Sequence, residues 1–144
     1  MNTAEMPAFT ALTANVSAQV CVVGAGIAGL TTAYLLARQG KSVVLIDDGP
    51  LAGGETERTT AHLSNALDDR YHRLEKLHGA EGARLAAESH TAAIARIESI
   101  VREENIDCDF ERLDGYLFVP PGGPVDELDR ELAAAQRAGL TQVT

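Results

Sequence analysis

Three features of the sequence predict an α/β fold built around a parallel sheet. A short apolar run, residues 19–23, passes through a turn bearing Gly24, Gly26 and Gly29 into a helix-like segment. A second apolar run, residues 42–46, closes a strand–helix–strand unit of about 30 residues. Beyond it, amphipathic helical stretches are interleaved with a shorter, alternating, β-like one.

Taken in order, residues 1–17 contain no Lys or Arg and no continuous apolar region. They read as a flexible leader, not a secretory signal. Residues 19–23 are apolar and β-branched enough for a buried strand, with Cys21 inside it as a small hydrophobe. A helix over 28–39 follows, and Gly40 is placed to end it in the left-handed conformation. Ser42 to Ile46 is the second strand, and Asp47, Asp48, Gly49 and Pro50 form a turn. The two strands are expected parallel, with a right-handed crossover.

Residues 51–66 look irregular, with a Gly53–Gly54 pair and a run of Thr and Ser. A short helix over 68–78 stops at Gly79, and a longer one runs to about Glu104. In that helix Ala83, Ala87, His90, Ile94, Ile97 and Val101 make one apolar stripe, which casts His90 as a core histidine. His72 and His78 sit among Arg70, Arg73 and Lys76 and read as a solvated face. Residues 107–119 alternate and predict a hairpin or bent strand pair, with Tyr116 in its packing. A helix over 125–137, stopped by Gly139, leads to a β-like tail. That ending suggests the N-terminal portion of a longer protein.

Composition narrows the function. The net charge of −9 disfavours nucleic acid and anionic membranes. Aromatics are sparse and Trp is absent, so stacking on single-stranded nucleic acid is not expected. No apolar run approaches a membrane span. Cys21 and Cys108 are isolated, which fits a reducing cytoplasm and offers no metal spacing.

The glycine turn carries the chemistry. G-x-G-x-x-G is short and common, but here a strand precedes it and a helix follows. Gly24 permits the tight turn, Gly26 leaves room for a pyrophosphate against the backbone, and Gly29 lets the helix pack on the strand. The amides of the first turn, including Ile27 and Ala28, then face the anion at the positive end of the helix dipole. Asp47 ends the second strand 23 residues after Gly24, with Asp48 beside it. A carboxylate there accepts hydrogen bonds from an adenosine ribose and repels a 2′-phosphate, so NADP is disfavoured.

From Gly24 to Asp47 the residues resemble the extended fingerprint of FAD-dependent oxidoreductases, with Ala33, Leu36, Gly40 and Val43 at matching positions. The Gly53–Gly54 pair and the following stretch to Ser64 look like the second cofactor loop of the D-amino-acid-oxidase-like (glycine-oxidase-like) superfamily. Residues 109–119 resemble the start of its substrate domain. The Arg58-to-His62 phrase is most similar to bacterial members with a C-terminal Rieske domain. No Cys-x-His pair occurs, so no cluster is expected on this chain.

The resemblance implies a Rossmann-like FAD/NAD(P)-binding unit at 18–66, a helical connection at 67–105 and a truncated start of a substrate domain at 106–144. It implies FAD as cofactor and a small-molecule substrate, an amine or amino acid, oxidised by hydride transfer. An electron-acceptor protein or iron–sulfur domain beyond the chain is implied as a partner. It places Gly54, Arg58, Thr59 and Thr60 on the cofactor loop and brings His62 near the flavin ring, where a non-covalent role is expected over a covalent bond. Two departures stand out: Asp47 replaces the commoner Glu, and the later segment that contacts the ribityl chain is absent. The alternatives are an NAD-dependent dehydrogenase, disfavoured by the glycine pair and the Ala33-to-Gly40 pattern, and a non-catalytic piece or subunit of a split flavoprotein.

Overall fold

The structure is a computed structural model in which residues 6–144 are described. Strand β1 (Val20–Val23), helix α1 (Ile27–Arg38) and strand β2 (Val43–Ile46) form the first motif. The strands pair in parallel, Val20 opposite Val43 and Val23 opposite Ile46. The short helix α2 (Glu55–Arg58) follows, then the long α3 (Tyr71–Glu103) and α4 (Asp126–Arg137). The chain divides into two compact units, one ending at His62 and one running from Leu63 to Thr144.

In the first unit the expected strand–helix–strand order is present. Helix α1 ends as the glycine at 40 predicts: Gly40 has φ 76°, its amide donates to Ala37 O, and Lys41 N donates to Leu36 O. These are the paired bonds of a Schellman stop. The strands are only half covered. Val20 and Val22 are partly buried, and Val22 Cγ1 lies 3.4 Å from where a Cβ on Gly29 would sit. Successive strand residues face opposite ways. Val23 is therefore 78% exposed, and Cys21 is exposed, contrary to its expected burial. A hollow of about 380 Å³ lies there, lined by Leu12, Val16, Cys21, Val44 and Ile46 among others.

The second unit is held by α3 against α4. Its buried residues are Tyr71, Ala83 and Ala87 of α3 with Ala134, Ala135 and Ala138 at the end of α4; Leu67, Leu74 and Leu140 pack around them. Alanines at the contact let the helix backbones approach closely. Gly79 interrupts α3 with φ 74° and ψ 169°, the break that the sequence predicts. Ala83 and Ala87 of the predicted stripe are buried, but His90 is exposed. The reason is length: the 12 residues of α4 span about 18 Å, too short to follow α3 past its first half.

Glu131 of α4, 8% exposed, supplies the helix cap that α3 lacks locally. Its Oε1 accepts Tyr71 N at 2.8 Å, and its Oε2 accepts His72 N at 3.1 Å and contacts His72 Nδ1 at 2.9 Å. His72 is thus engaged between helices instead of lying on a solvated face. Burial, with the Glu131 charge second, raises the Tyr71 phenol above its ordinary range, and its hydroxyl donates to Asn65 O at 2.5 Å. Arg137 makes a two-bond ion pair with Glu75, at 3.0 and 2.7 Å, across the same helices.

No strand forms over 107–119. Asn105 ends the turn after α3 at φ 51°, Asp109 breaks the extended run at φ 52°, and Arg112 is drawn to Glu98 of α3 at 2.6 and 2.9 Å. Strand geometry also needs a neighbouring backbone to satisfy its amides. Tyr116 is exposed. The tail past α4 is likewise a turn, with Leu140 N bonded to Ala135 O and Thr141 N to Gly139 O. Among the described residues no helix is long and apolar enough to cross a membrane.

Candidate functional site

The end of β1, the start of α1 and the end of β2 converge on the glycine turn. Gly24 sits at φ 100°, a conformation that L side chains rarely adopt, and its amide donates to Ile46 O at 2.8 Å. Gly29 is required for a different reason: a Cβ there would lie 1.8 Å from Gly24 O. Gly26 has φ −77° and, among the described residues beyond its chain neighbours, one atom near its Cβ position, Thr56 Oγ1 at 3.3 Å. Its lack of a side chain therefore answers no crowding from the protein's own backbone; it leaves open the space over the turn.

Asp47 is joined to this turn. Its Oδ2 accepts Ala25 N at 2.5 Å and its Oδ1 accepts Gly49 N at 2.8 Å. These amide bonds, Ala25 first and Gly49 second, hold the Asp47 carboxyl below the usual carboxylate range. Asp47 is exposed, so its remaining lone pairs face solvent, and Asp48 is exposed beside it. The amides of Gly26, Ala28 and Gly29 find no acceptor among the described residues, as expected for a first helical turn. Ile27 differs, because its amide donates to Thr56 Oγ1 at 3.1 Å.

The loop after β2 is stitched to the same turn, since Ala52 N donates to Ala25 O at 2.9 Å. Gly54, at φ 77°, opens α2. The structure does not bring the rest of the loop candidates to the turn. Arg58 pairs with Glu55 at 3.6 Å on an exposed surface, Thr59 Oγ1 accepts Ala61 N at 3.1 Å, and Thr60 Oγ1 contacts His62 Nδ1 at 3.1 Å. Two participants were missed in the sequence. Ala25 acts through a backbone amide, which no residue type signals. Thr56 lies in the glycine-flanked loop two residues after Gly54, and no spacing in the sequence ties it to Ile27, 29 residues away.

The model of the DAO family, described as FAD dependent oxidoreductase, matches residues 19–143. The chain belongs to this family. Among similar proteins is YhfW of Bacillus subtilis (strain 168), which bears the name of a Rieske 2Fe-2S iron–sulfur protein. It is 35% identical over 94% of this chain and 27% of its own length. Gamma-glutamylputrescine oxidoreductase of Escherichia coli (strain K12) is 31% identical over 77% of this chain and 26% of its own length. OrdL of Haemophilus influenzae, named as an oxidoreductase, is 29% identical over 75% of this chain and 25% of its own length. The chain thus spans about a quarter of the length of these curated relatives. No solved structure matches it.

The chain thus belongs to a family described as FAD dependent oxidoreductase, and its two-stranded parallel sheet is compatible with the Rossmann-like FAD/NAD-binding fold of that family. The turn fits that cofactor: open space over Gly26, free first-turn amides and an ionised carboxylate at the end of β2.

The lowered Asp47 carboxyl sets a pH dependence. A group whose folded pKa is depressed contributes stability that is fully present above its unfolded value and is lost as pH falls through the folded one. The first unit is therefore expected to keep this contribution at neutral pH and lose it only below the ordinary aspartate value of about 4. Thermal melts of wild type and Asp47→Asn across pH test this. The gap between the two proteins should narrow on acidification, and a gap that widens in acid would contradict the Ala25–Asp47 link.

Proposed function

We propose that this chain holds the ADP half of FAD in an enzyme that oxidises an amine or amino acid. The observation that carries the reading is the bond from Ala25 N to Asp47 Oδ2 at 2.5 Å, which sets a ribose acceptor against the phosphate-binding turn. The amides of Gly26, Ala28 and Gly29 would face the pyrophosphate, and Asp47 would accept from the ribose hydroxyls. FAD, when bound, supplies the acceptor for the hydride that leaves the substrate carbon bearing nitrogen. The residues of this chain bind and orient; no nucleophile–base pair is needed among them.

The substrate class is supported by the name of the Escherichia coli relative, and an iron–sulfur electron acceptor by the name of YhfW. Residues 18–66 are read as the FAD unit, 67–105 as a helical connection and 106–144 as the start of the substrate domain; the leader expected over 1–17 lies partly outside the described residues. Gly54, Arg58, Thr59 and Thr60 are assigned to the cofactor loop, with His62 beside the flavin ring without a covalent bond. That assignment rests on the resemblance of the loop.

Acid extraction of the purified protein tests both points. Released flavin is expected to be FAD, because FMN has neither the pyrophosphate nor the adenosine ribose that the turn and Asp47 serve. A colourless protein that binds NAD would overturn the cofactor reading. Flavin that stays with the peptide containing His62 would overturn the non-covalent role.

A further inference from the structure

The geometry points to Thr56 as a positioning residue for the cofactor's phosphates, an inference that rests on the FAD reading above. Thr56 Oγ1 accepts the Ile27 amide proton at 3.1 Å. A hydroxyl that accepts from a backbone amide still has its own proton to donate. That proton has no acceptor among the described residues. Among the described residues other than its chain neighbours, Thr56 Oγ1 is also the only atom within 4 Å of the position a Cβ on Gly26 would take, at 3.3 Å. The hydroxyl therefore borders the open space over Gly26. An anion entering there meets the Thr56 proton together with the amides of Gly26 and Ala28.

The same hydroxyl ties the loop to the turn. With Ala52 N bonded to Ala25 O at 2.9 Å, the loop after β2 is held against the turn at two points. One of them, Thr56, lies where phosphate would arrive. Docking of α2 and orientation of the phosphates thus share one side chain: its oxygen is fixed by Ile27, and its proton is aimed by that fixation. A merely structural cap would need the oxygen alone.

Titration of the flavin-stripped protein with FAD, ADP and adenosine separates these roles. Thr56→Val keeps the shape and removes both bonds. It is expected to weaken FAD and ADP about tenfold, the worth of one hydrogen bond to a charged group. Adenosine, which has no phosphate, should bind as it does to wild type, and Thr56→Ser should restore ADP binding. Thr56→Ala is read in the same way if the valine variant folds poorly. The inference is overturned if Thr56→Val binds ADP as tightly as wild type, or if adenosine weakens as much as ADP. Gly26→Val in the same assay distinguishes the two levels. If it abolishes ADP binding while Thr56→Val does not, only the role of Thr56 falls. If neither variant affects ADP, the FAD reading falls with it.

Discussion

Gly26→Val is expected to abolish FAD binding while leaving the protein folded. At φ −77° and ψ −175° the backbone at 26 is extended, a conformation that valine accepts readily. The nearest atom to the new Cβ is Thr56 Oγ1 at 3.3 Å, the end of a side chain that can turn aside. The melting temperature should therefore move by only a few degrees, in line with a cost of about 1 kcal/mol. The ligand has no such freedom. A branched side chain would stand in the space through which the pyrophosphate approaches the amides of Gly26 and Ala28. The loss should reach a hundredfold or more, about 2.7 kcal/mol. Fluorescence titration with FAD beside a thermal melt gives both numbers. Normal FAD affinity in a folded Gly26→Val protein would mean that the phosphates sit elsewhere.

Gly29→Ala, three residues on, is expected to do the reverse and damage the fold. Its Cβ would lie 1.8 Å from Gly24 O and 2.9 Å from Gly24 C, both backbone atoms that no rotamer change can move. Either α1 lifts off β1 or the turn at Gly24 opens, and Gly24 is already at φ 100° and bonded to Ile46 O. Overpacking of this kind costs roughly 3 kcal/mol. The first unit has little reserve against it, because its sheet has two strands of four residues each. Circular dichroism and chemical denaturation should show the loss without any ligand present. A Gly29→Ala protein with wild-type stability would show that helix and strand are not in close contact there.

The contrast explains why one motif reads so clearly from sequence. Gly24 and Gly29 are required by local geometry and Gly26 leaves the space over the turn open, so their spacing between an apolar run and a helix was enough to place the turn, α1 and β2. The Schellman stops after α1 and α4 were legible for the same reason, as were the break at Gly79 and the two buried alanines of the α3 stripe. All depend on residues within a few positions of one another.

Residue order alone encodes the strand–turn–helix–strand unit, its kinship with FAD-dependent oxidoreductases and the place of Asp47 at the end of β2. Tertiary structure alone decided which surfaces found a partner. His90 is exposed because α4 is too short to reach it. Cys21 is exposed because α1 packs on the opposite side of a strand that alternates its faces. The run at 107–119 is irregular because no neighbouring strand satisfies its amides. Glu131 became a buried cap because α4 carries it to the start of α3, 60 residues away in sequence from Tyr71. Thr56 reached Ile27 because the loop folds back on the turn across 29 residues. Each of these outcomes depends on a contact between distant segments, and the periodicity of a single segment records which face is apolar but not what will cover it.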